Sequence, residues 1–271
     1  MSYKPEKAYK NQDFLNSPAA RHIRILCEYE ETRQRFNQQN VDNTVVFFGS
    51  ARTKSSDEAK RWLAKAEAIL SAEPSNEKAA EEVNKAKIAV KTGPFYDAAR
   101  ELGRRMTQWS LERAGQKYLI CSGGGPGIME AANRGASDAG GPSVGLGISL
   151  PFEQGVNQYC TPELSFEFHY FFTRKYWFLY PCKAVVYFPG GFGTMDELFE
   201  TTTLVQTGKI SKPMPMVLFG TEYWNDVLDM EKMAEWGTIS AKDPDMMLQT
   251  NSVDEAFEYL TRHIEENERK G

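Results

Sequence analysis

The sequence predicts an α/β chain: a mostly parallel sheet covered by helices on both faces. Three observations carry this. Short apolar runs such as "TVVFF" (44–48), "YLIC" (118–121) and "AVVYF" (184–188) have the β-branched and aromatic content of strands buried on both sides. Helix-length amphipathic segments alternate with them, as βαβ units require. Three strand ends also run directly into Gly-rich turns, which a parallel sheet gathers along one edge. At 271 residues the chain is long enough for one large or two small domains.

Taken in order, residues 1–16 read as a polar arm. Ser17 to Gln39 reads as a helix with Ile23, Leu26, Cys27 and Tyr29 as its apolar stripe. The first strand (44–51) follows. Residues 55–91, rich in Ala, Glu and Lys and broken by "EPSN" at 73–76, predict an inserted helical hairpin, each arm started by Ser or Asn. A separate helix beginning near "TGPFYDAA" and ending at Gly115 comes next. Strands are then expected at "KYLICS", "SVGLGISL", "LSFEFHYFF", "KAVVYF", "MPMVLFG" and "MMLQTNS". Helices are expected at "IMEAANRGASDAG", "TRKYWFLYP", "TMDELFETTTLVQTG", "EYWNDVLDMEKMAEWG" and the C-terminal 253–270. The division that results is an arm and helix over 1–42 and a nucleotide-binding domain over 43–271, with the insertion at about 55–91.

Bulk properties exclude several classes. A net charge of -5 disfavours a nucleic acid polymer, which needs clustered Lys and Arg. Cys27, Cys121, Cys160 and Cys182 form no CxxC pair and no zinc spacing, so free thiols are expected, with no metal and no cofactor. The polar N-terminus has no apolar signal-peptide core, and no run spans a bilayer. A soluble cytoplasmic protein with no membrane partner is the expectation.

The turns carry the chemistry. They are Gly49-Ser50-Ala51-Arg52, Ser122-Gly123-Gly124-Gly125-Pro126-Gly127, and Gly190-Gly191-Phe192-Gly193-Thr194. Glycines let backbone approach a ligand, and a helix starting straight after leaves free N–H groups and a positive dipole end. Together these make an anion pocket. The second turn is equally well explained as a tight strand–helix connection with Pro126 at the first helical position. The third exceeds what a turn needs, yet it is neither GxGxxG nor GxxxxGK[ST].

"PGGFGTMDE" matches the PGGxGTxxE signature of the LOG family, phosphoribohydrolases that include cytokinin-activating enzymes and nucleoside-monophosphate nucleosidases. An Arg-Lys pair upstream, in "FFTRKYWF", supplies the second signature, with Phe171 and Phe178 replacing the customary Met residues. "SGGGPGIMEAANRGA" and "LPFEQGVNQY" resemble the larger bacterial members. The resemblance covers roughly residues 43–220. It implies a doubly wound, Rossmann-like fold and cleavage of a purine nucleoside 5′-monophosphate to free base and ribose 5-phosphate. It implies Glu197 as catalytic acid/base and Arg174 as its partner, on phosphate, sugar oxygens or departing base. It places Lys175, Gly190, Gly191, Gly193, Thr194 and Thr203 at the nucleotide. Ser122, Gly124, Gly125, Gly49, Ser50, Glu153 and Asn157 are further candidates for binding. It also implies a homo-oligomer, dimer or larger.

Asp196 and Glu200 are expected to be solvated or structural. His169 is expected in the core, with Trp177, Phe178 and Tyr180 packing. Three other functions compete. A lysine decarboxylase would need pyridoxal phosphate on a Lys, and none of His22, His169 and His263 precedes a Lys as that class's motif requires. A non-catalytic nucleotide or molybdenum-cofactor carrier uses a similar turn, but has no need of a carboxylate at the anomeric carbon. A nucleotide sensor using the hairpin as a contact surface is the third.

Overall fold

The computed structural model describes residues 3–113, 117–150 and 155–269. Its centre is one all-parallel sheet. The strands are β1 (Asn43–Phe48), β2 (Tyr118–Ser122), β3 (Ser143–Ile148), β4 (Ser165–Phe168), β5 (Cys182–Tyr187), β6 (Met216–Phe219) and β7 (Met247–Thr250). Their order is β4-β3-β2-β1-β5-β6-β7. The chain builds outward from β1 through β4, then returns to the other side of β1 and builds outward through β7. The reversal lies between β1 and β5, the place where open α/β sheets leave a crevice beyond the strand ends. This is the doubly wound, Rossmann-like α/β fold.

Alternation along the strands feeds two cores. Val45 and Phe47 of β1 pack with α4 (Glu77–Leu111), α5 (Ile128–Asp138) and α10 (Val253–Glu268). Val46 and Phe48 pack on the other face with α2 (Arg21–Gln38), α6 (Phe171–Leu179), α7 (Phe192–Gln206) and α8 (Thr221–Val227). Every residue of β1 is buried, as expected for an interior parallel strand.

Four elements differ from the sequence expectations. The polar arm contains a short helix, α1 (Gln12–Asn16), because Asn11 caps it by accepting from the Phe14 amide at 2.9 Å. In α2 the buried residues are Thr32 and Phe36, whereas Leu26 and Cys27 are exposed; the contact face is set by Phe36 edge-on to Trp177 and Phe166. The segment 222–237 is two helices, α8 and α9 (Met230–Glu235), because Leu228 is extended and Asp229 caps a new start at the Lys232 amide.

The largest difference is the hairpin. α3 (Ser56–Ala72) and α4 start at Ser55 and Asn76 caps as expected. The break expected near residue 92 does not occur, and α4 runs 35 residues through Gly93 and Pro94. Pro94 lacks an amide and so forgoes one helical hydrogen bond, but it is exposed, and the helix is held by packing on either side of it. Gly93 is buried against α3, where an added Cβ would lie 2.9 Å from Ser56 Cα. The expected helix end at Gly115 lies outside the described residues.

Where α5 crosses α4, Gly135 lets two backbones touch: a Cβ there would sit 2.1 Å from the Arg100 carbonyl oxygen. Gly135→Ala is expected to destabilise the fold by about 1–3 kcal/mol or more, because backbone cannot retreat as a side-chain tip can. Denaturant unfolding measures it; an unchanged midpoint would contradict this packing.

Candidate active site

The three Gly-rich turns meet. The loop after β1 is tied to the loop after β5 by the Ser50 amide donating to the Pro189 carbonyl (3.0 Å), and to α5 by the Ile128 amide donating to the Ser50 carbonyl (3.0 Å). Gly127, at φ 71°, has no room for a side chain: a Cβ would lie 2.3 Å from the Ser50 carbonyl oxygen. Between the loops opens a cleft of about 600 Å³ lined by Gly49, Ser50, Arg52, Gly123, Arg174, Gly191, Gly193, Thr194, Asp196 and Glu197 among others. Phe48, Met129, Ile148, Leu150 and Phe171 give it an apolar wall.

One end of the cleft is the N-terminus of α7. Gly191 precedes the helix, and the first-turn amides have no intrahelical acceptor. Added Cβ atoms at Gly191 and Gly193 would meet nothing within 4 Å, so this backbone is open to a ligand. Gly190 is different. Its Cβ would strike Thr194 Oγ1 at 2.1 Å, and its carbonyl accepts from the Tyr223 hydroxyl. It shapes the turn from behind.

Glu197 lies one turn further along α7 and is buried. Its backbone carbonyl accepts from Thr201 Oγ1 (2.8 Å) and the Tyr187 hydroxyl (3.3 Å). Its Oε2 has no hydrogen-bond partner among the described residues. Burial pushes the carboxyl pKa up to about 7; the Lys175 and Arg174 cations pull it back, and Glu200 and Asp196 add to the rise. Unpaired buried polar atoms are costly and concentrate where a ligand completes them.

Arg174 reaches the cleft from α6. Its Nε donates to the Leu146 carbonyl at 2.7 Å, and its guanidinium lies 5.0 Å over the Phe178 ring. The same guanidinium covers Gly123, where a Cβ would lie 2.6 Å from Nη2. Lys175, next on the helix, bridges Asp196 Oδ2 (2.8 Å) and Glu200 Oε2 (2.7 Å), joining α6 to α7 around Glu197.

A family model described as "Possible lysine decarboxylase" matches residues 129–260. The chain is 25% identical over 182 residues to cytokinin riboside 5′-monophosphate phosphoribohydrolase LOG3 of Arabidopsis thaliana, covering 66% of this chain and 80% of that one. It is 27% identical over 170 residues to probable cytokinin riboside 5′-monophosphate phosphoribohydrolase LOG4 of Oryza sativa subsp. japonica, covering 62% and 70%. These matches support a LOG-family protein. Among solved structures, a Moco carrier protein of Chlamydomonas reinhardtii aligns with 83% of this chain and 99% of its own, at 16% identity and a TM-score of 0.46.

Of the residues singled out from the sequence by resemblance to the LOG family, Arg174, Glu197, Gly49, Ser50, Gly191, Gly193 and Thr194 lie on the cleft. The other described ones do not line it. Lys175 is not a lining residue, because its ammonium is committed to Asp196 and Glu200. Those two acids are partners of Lys175, the structural one of the two roles expected for them, and Asp196 also lines the cleft. Thr203 is exposed further along α7, donating back to the Phe199 carbonyl. Ser122 is fully buried, donating to Asn133 Oδ1 (2.6 Å) and accepting from the Gly124 amide (3.0 Å). Asn157 donates to the carbonyls of Gly124 and Gly125 and to Asn133 Oδ1.

Ser122 and Asn157 thus fold the second turn, with Gly124 (φ 72°) against Val156 and Gly125 against Met129. Pro126 precedes the Gly127 cap instead of opening α5. Glu153 lies outside the described residues. His169 is exposed beside Tyr170, and Tyr180 is exposed too, whereas Trp177 and Phe178 are buried. Arg52, Gly123 and the apolar wall had no site role from sequence. Gly123 and Arg52 sit in turns that were noticed, but the apolar wall carries no motif. Among the described residues, no His/Cys/Asp/Glu cluster is placed to hold a metal, and no helix is long and apolar enough to cross a membrane.

Two predictions follow from this geometry. Gly123→Ala meets only flexible tips, Arg174 Nη2 and Met129 Sδ. It should fold with a near-normal melting temperature yet displace the guanidinium, seen as a shift of the Arg174 Nε–H resonance in NMR. Glu197→Gln should report the cost of the buried acid. The folded pKa near 7 lies above the ordinary 4.5, so the folded state holds this proton more tightly. That stability is present below pH 4.5 and is lost as pH rises through 7. Relative to wild type, the variant should gain up to about 3 kcal/mol at pH 8 and little at pH 4.5, in denaturant unfolding at both.

Proposed function

We propose that the protein hydrolyses the N-glycosidic bond of a purine nucleoside 5′-monophosphate, AMP or a cytokinin riboside monophosphate, to free base and ribose 5-phosphate. The observation that carries this is the buried carboxylate of Glu197, its Oε2 without a hydrogen-bond partner among the described residues, sharing a cleft with an open helix N-terminus. The names of the Arabidopsis and rice relatives support the same reaction class.

The 5′-phosphate sits at the first turn of α7, where the amides of Gly193 and Thr194 and the Thr194 hydroxyl donate to its oxygens. The sugar then lies beside Glu197. As the bond between C1′ and the base nitrogen breaks, its electron pair leaves with the base and the sugar becomes oxocarbenium-like. The Glu197 carboxylate stabilises that cation and takes a proton from the water whose oxygen bonds to C1′. The departing base takes up a proton. Arg174 stabilises charge developing on the base or holds the sugar, and the wall of Ile148, Leu150 and Phe171 offers a planar base an apolar surface. In this reading the protein works in the cytoplasm as a dimer or larger oligomer. Exposed Phe172, Tyr180 and Phe192 on the flanking helices support the second point.

The test is base release from a panel of nucleoside monophosphates, followed by chromatography. Adenine should appear from AMP without added metal. Because Glu197 acts ionised, kcat/KM should rise with pH and reach half its plateau near pH 7. Glu197→Gln should lose about 10²–10⁴-fold. Binding of a nucleotide with no release of any base would instead support the carrier.

A further inference from the structure

The N-terminal helix lies outside the stretch that carries the family signatures, yet it reaches the helix that bears Arg174. Glu28 of α2 places its carboxylate at the head of α6. Its Oε1 accepts from the His169 amide at 2.8 Å; its Oε2 accepts from the Thr173 hydroxyl at 2.6 Å and the Tyr170 amide at 3.4 Å. The N-cap position of α6 is Tyr170, which provides no side-chain cap of its own. A carboxylate from a distant helix instead ties the two residues that lead into α6 to the Thr173 hydroxyl in its first turn, and its charge complements the positive end of the α6 dipole.

The contact extends along the helix. The Tyr29 ring lies 5.1 Å from that of Tyr176 and 5.4 Å from that of Trp177, and Phe36 meets Trp177 edge-on. Thr173, which Glu28 grips, immediately precedes Arg174. On the sheet side, Arg174 Nε is fixed by the Leu146 carbonyl of β3. The first turn of α6 is therefore held at two points, one by the sheet and one by α2.

We propose that Glu28 is a positioning residue for Arg174, so that the N-terminal helix is a working part of the catalytic apparatus. This rests on the hydrolase reading for its effect on turnover, but not for its effect on α6. A displacement of a catalytic group by about 1 Å can cost roughly a hundredfold in rate, so even a modest loosening should be measurable.

The experiment compares wild type, Glu28→Ala and Glu28→Gln by amide hydrogen exchange and by kcat and KM for AMP. Glu28→Ala should speed exchange across residues 169–179 by about tenfold, the loss of a charge-assisted bond, while β1 and β5 keep their protection. Its kcat/KM should fall roughly ten- to a hundredfold, mainly in kcat. Glu28→Gln keeps one acceptor and should fall between the two; it also serves if Glu28→Ala does not fold. Unchanged exchange over 169–179 in the folded variants would overturn the proposal. So would equal loss of protection throughout the sheet, or an unchanged kcat/KM in an active enzyme. If wild type cleaves no nucleotide, the hydrolase reading fails while exchange still decides whether Glu28 holds α6.

Discussion

Val46 pairs with Val185, and Phe47 with Val186, at the place where the order of strands reverses. That parallel register brings the ends of β1 and β5 level, so their loops leave the sheet side by side and the Ser50 amide can reach Pro189. β2, paired on the other side of β1, delivers the Ser122–Gly127 turn to the same edge. A slip of one residue would turn each strand's core residues to the opposite face and part the loops. The cleft is a consequence of strand pairing before it is a consequence of any residue within it.

Within that frame, charge is arranged by layers of commitment. Lys175 is consumed by Asp196 and Glu200, so the pair of acids flanking Glu197 is neutralised in part and α6 is pinned to α7. Arg174 is tethered at Nε, and its guanidinium lies over a glycine. Glu197 keeps a buried Oε2 without a hydrogen-bond partner among the described residues. Its environment costs stability at neutral pH, and such costs are characteristic of residues kept for a purpose other than folding. The anion cradle and the acid belong to successive turns of one helix, which fixes their separation without help from any loop.

Much of this was legible in the sequence. Apolar runs gave the strands, and Gly-rich punctuation at their ends located the cleft, because glycine is needed where backbones converge. Glu197 and Arg174 were legible through motif resemblance. The roles of Ser122 and Asn157 were not, since a polar residue beside a Gly-rich turn can serve either a ligand or the turn, and only hydrogen-bond direction distinguishes them. The ion pairs of Lys175 were hidden for a related reason: its partners, Asp196 and Glu200, lie one turn apart on another helix. The apolar wall is scattered over four segments and leaves no local pattern. The continuity of α4 was hidden because Gly93-Pro94 is a genuine start signal, overridden by tertiary packing.

That override has a mechanical consequence. One helix, roughly 50 Å long at the usual rise, belongs to two cores at once. Its first half closes a small cluster with Ala66, Val83 and Ala86, and its second half carries Tyr96, Leu102 and Met106 under the sheet. There is no joint between them at which the outer hairpin could swing. The outer hairpin is thereby joined through one continuous helix to the layer under the sheet, where α4 meets α5 backbone to backbone at Gly135.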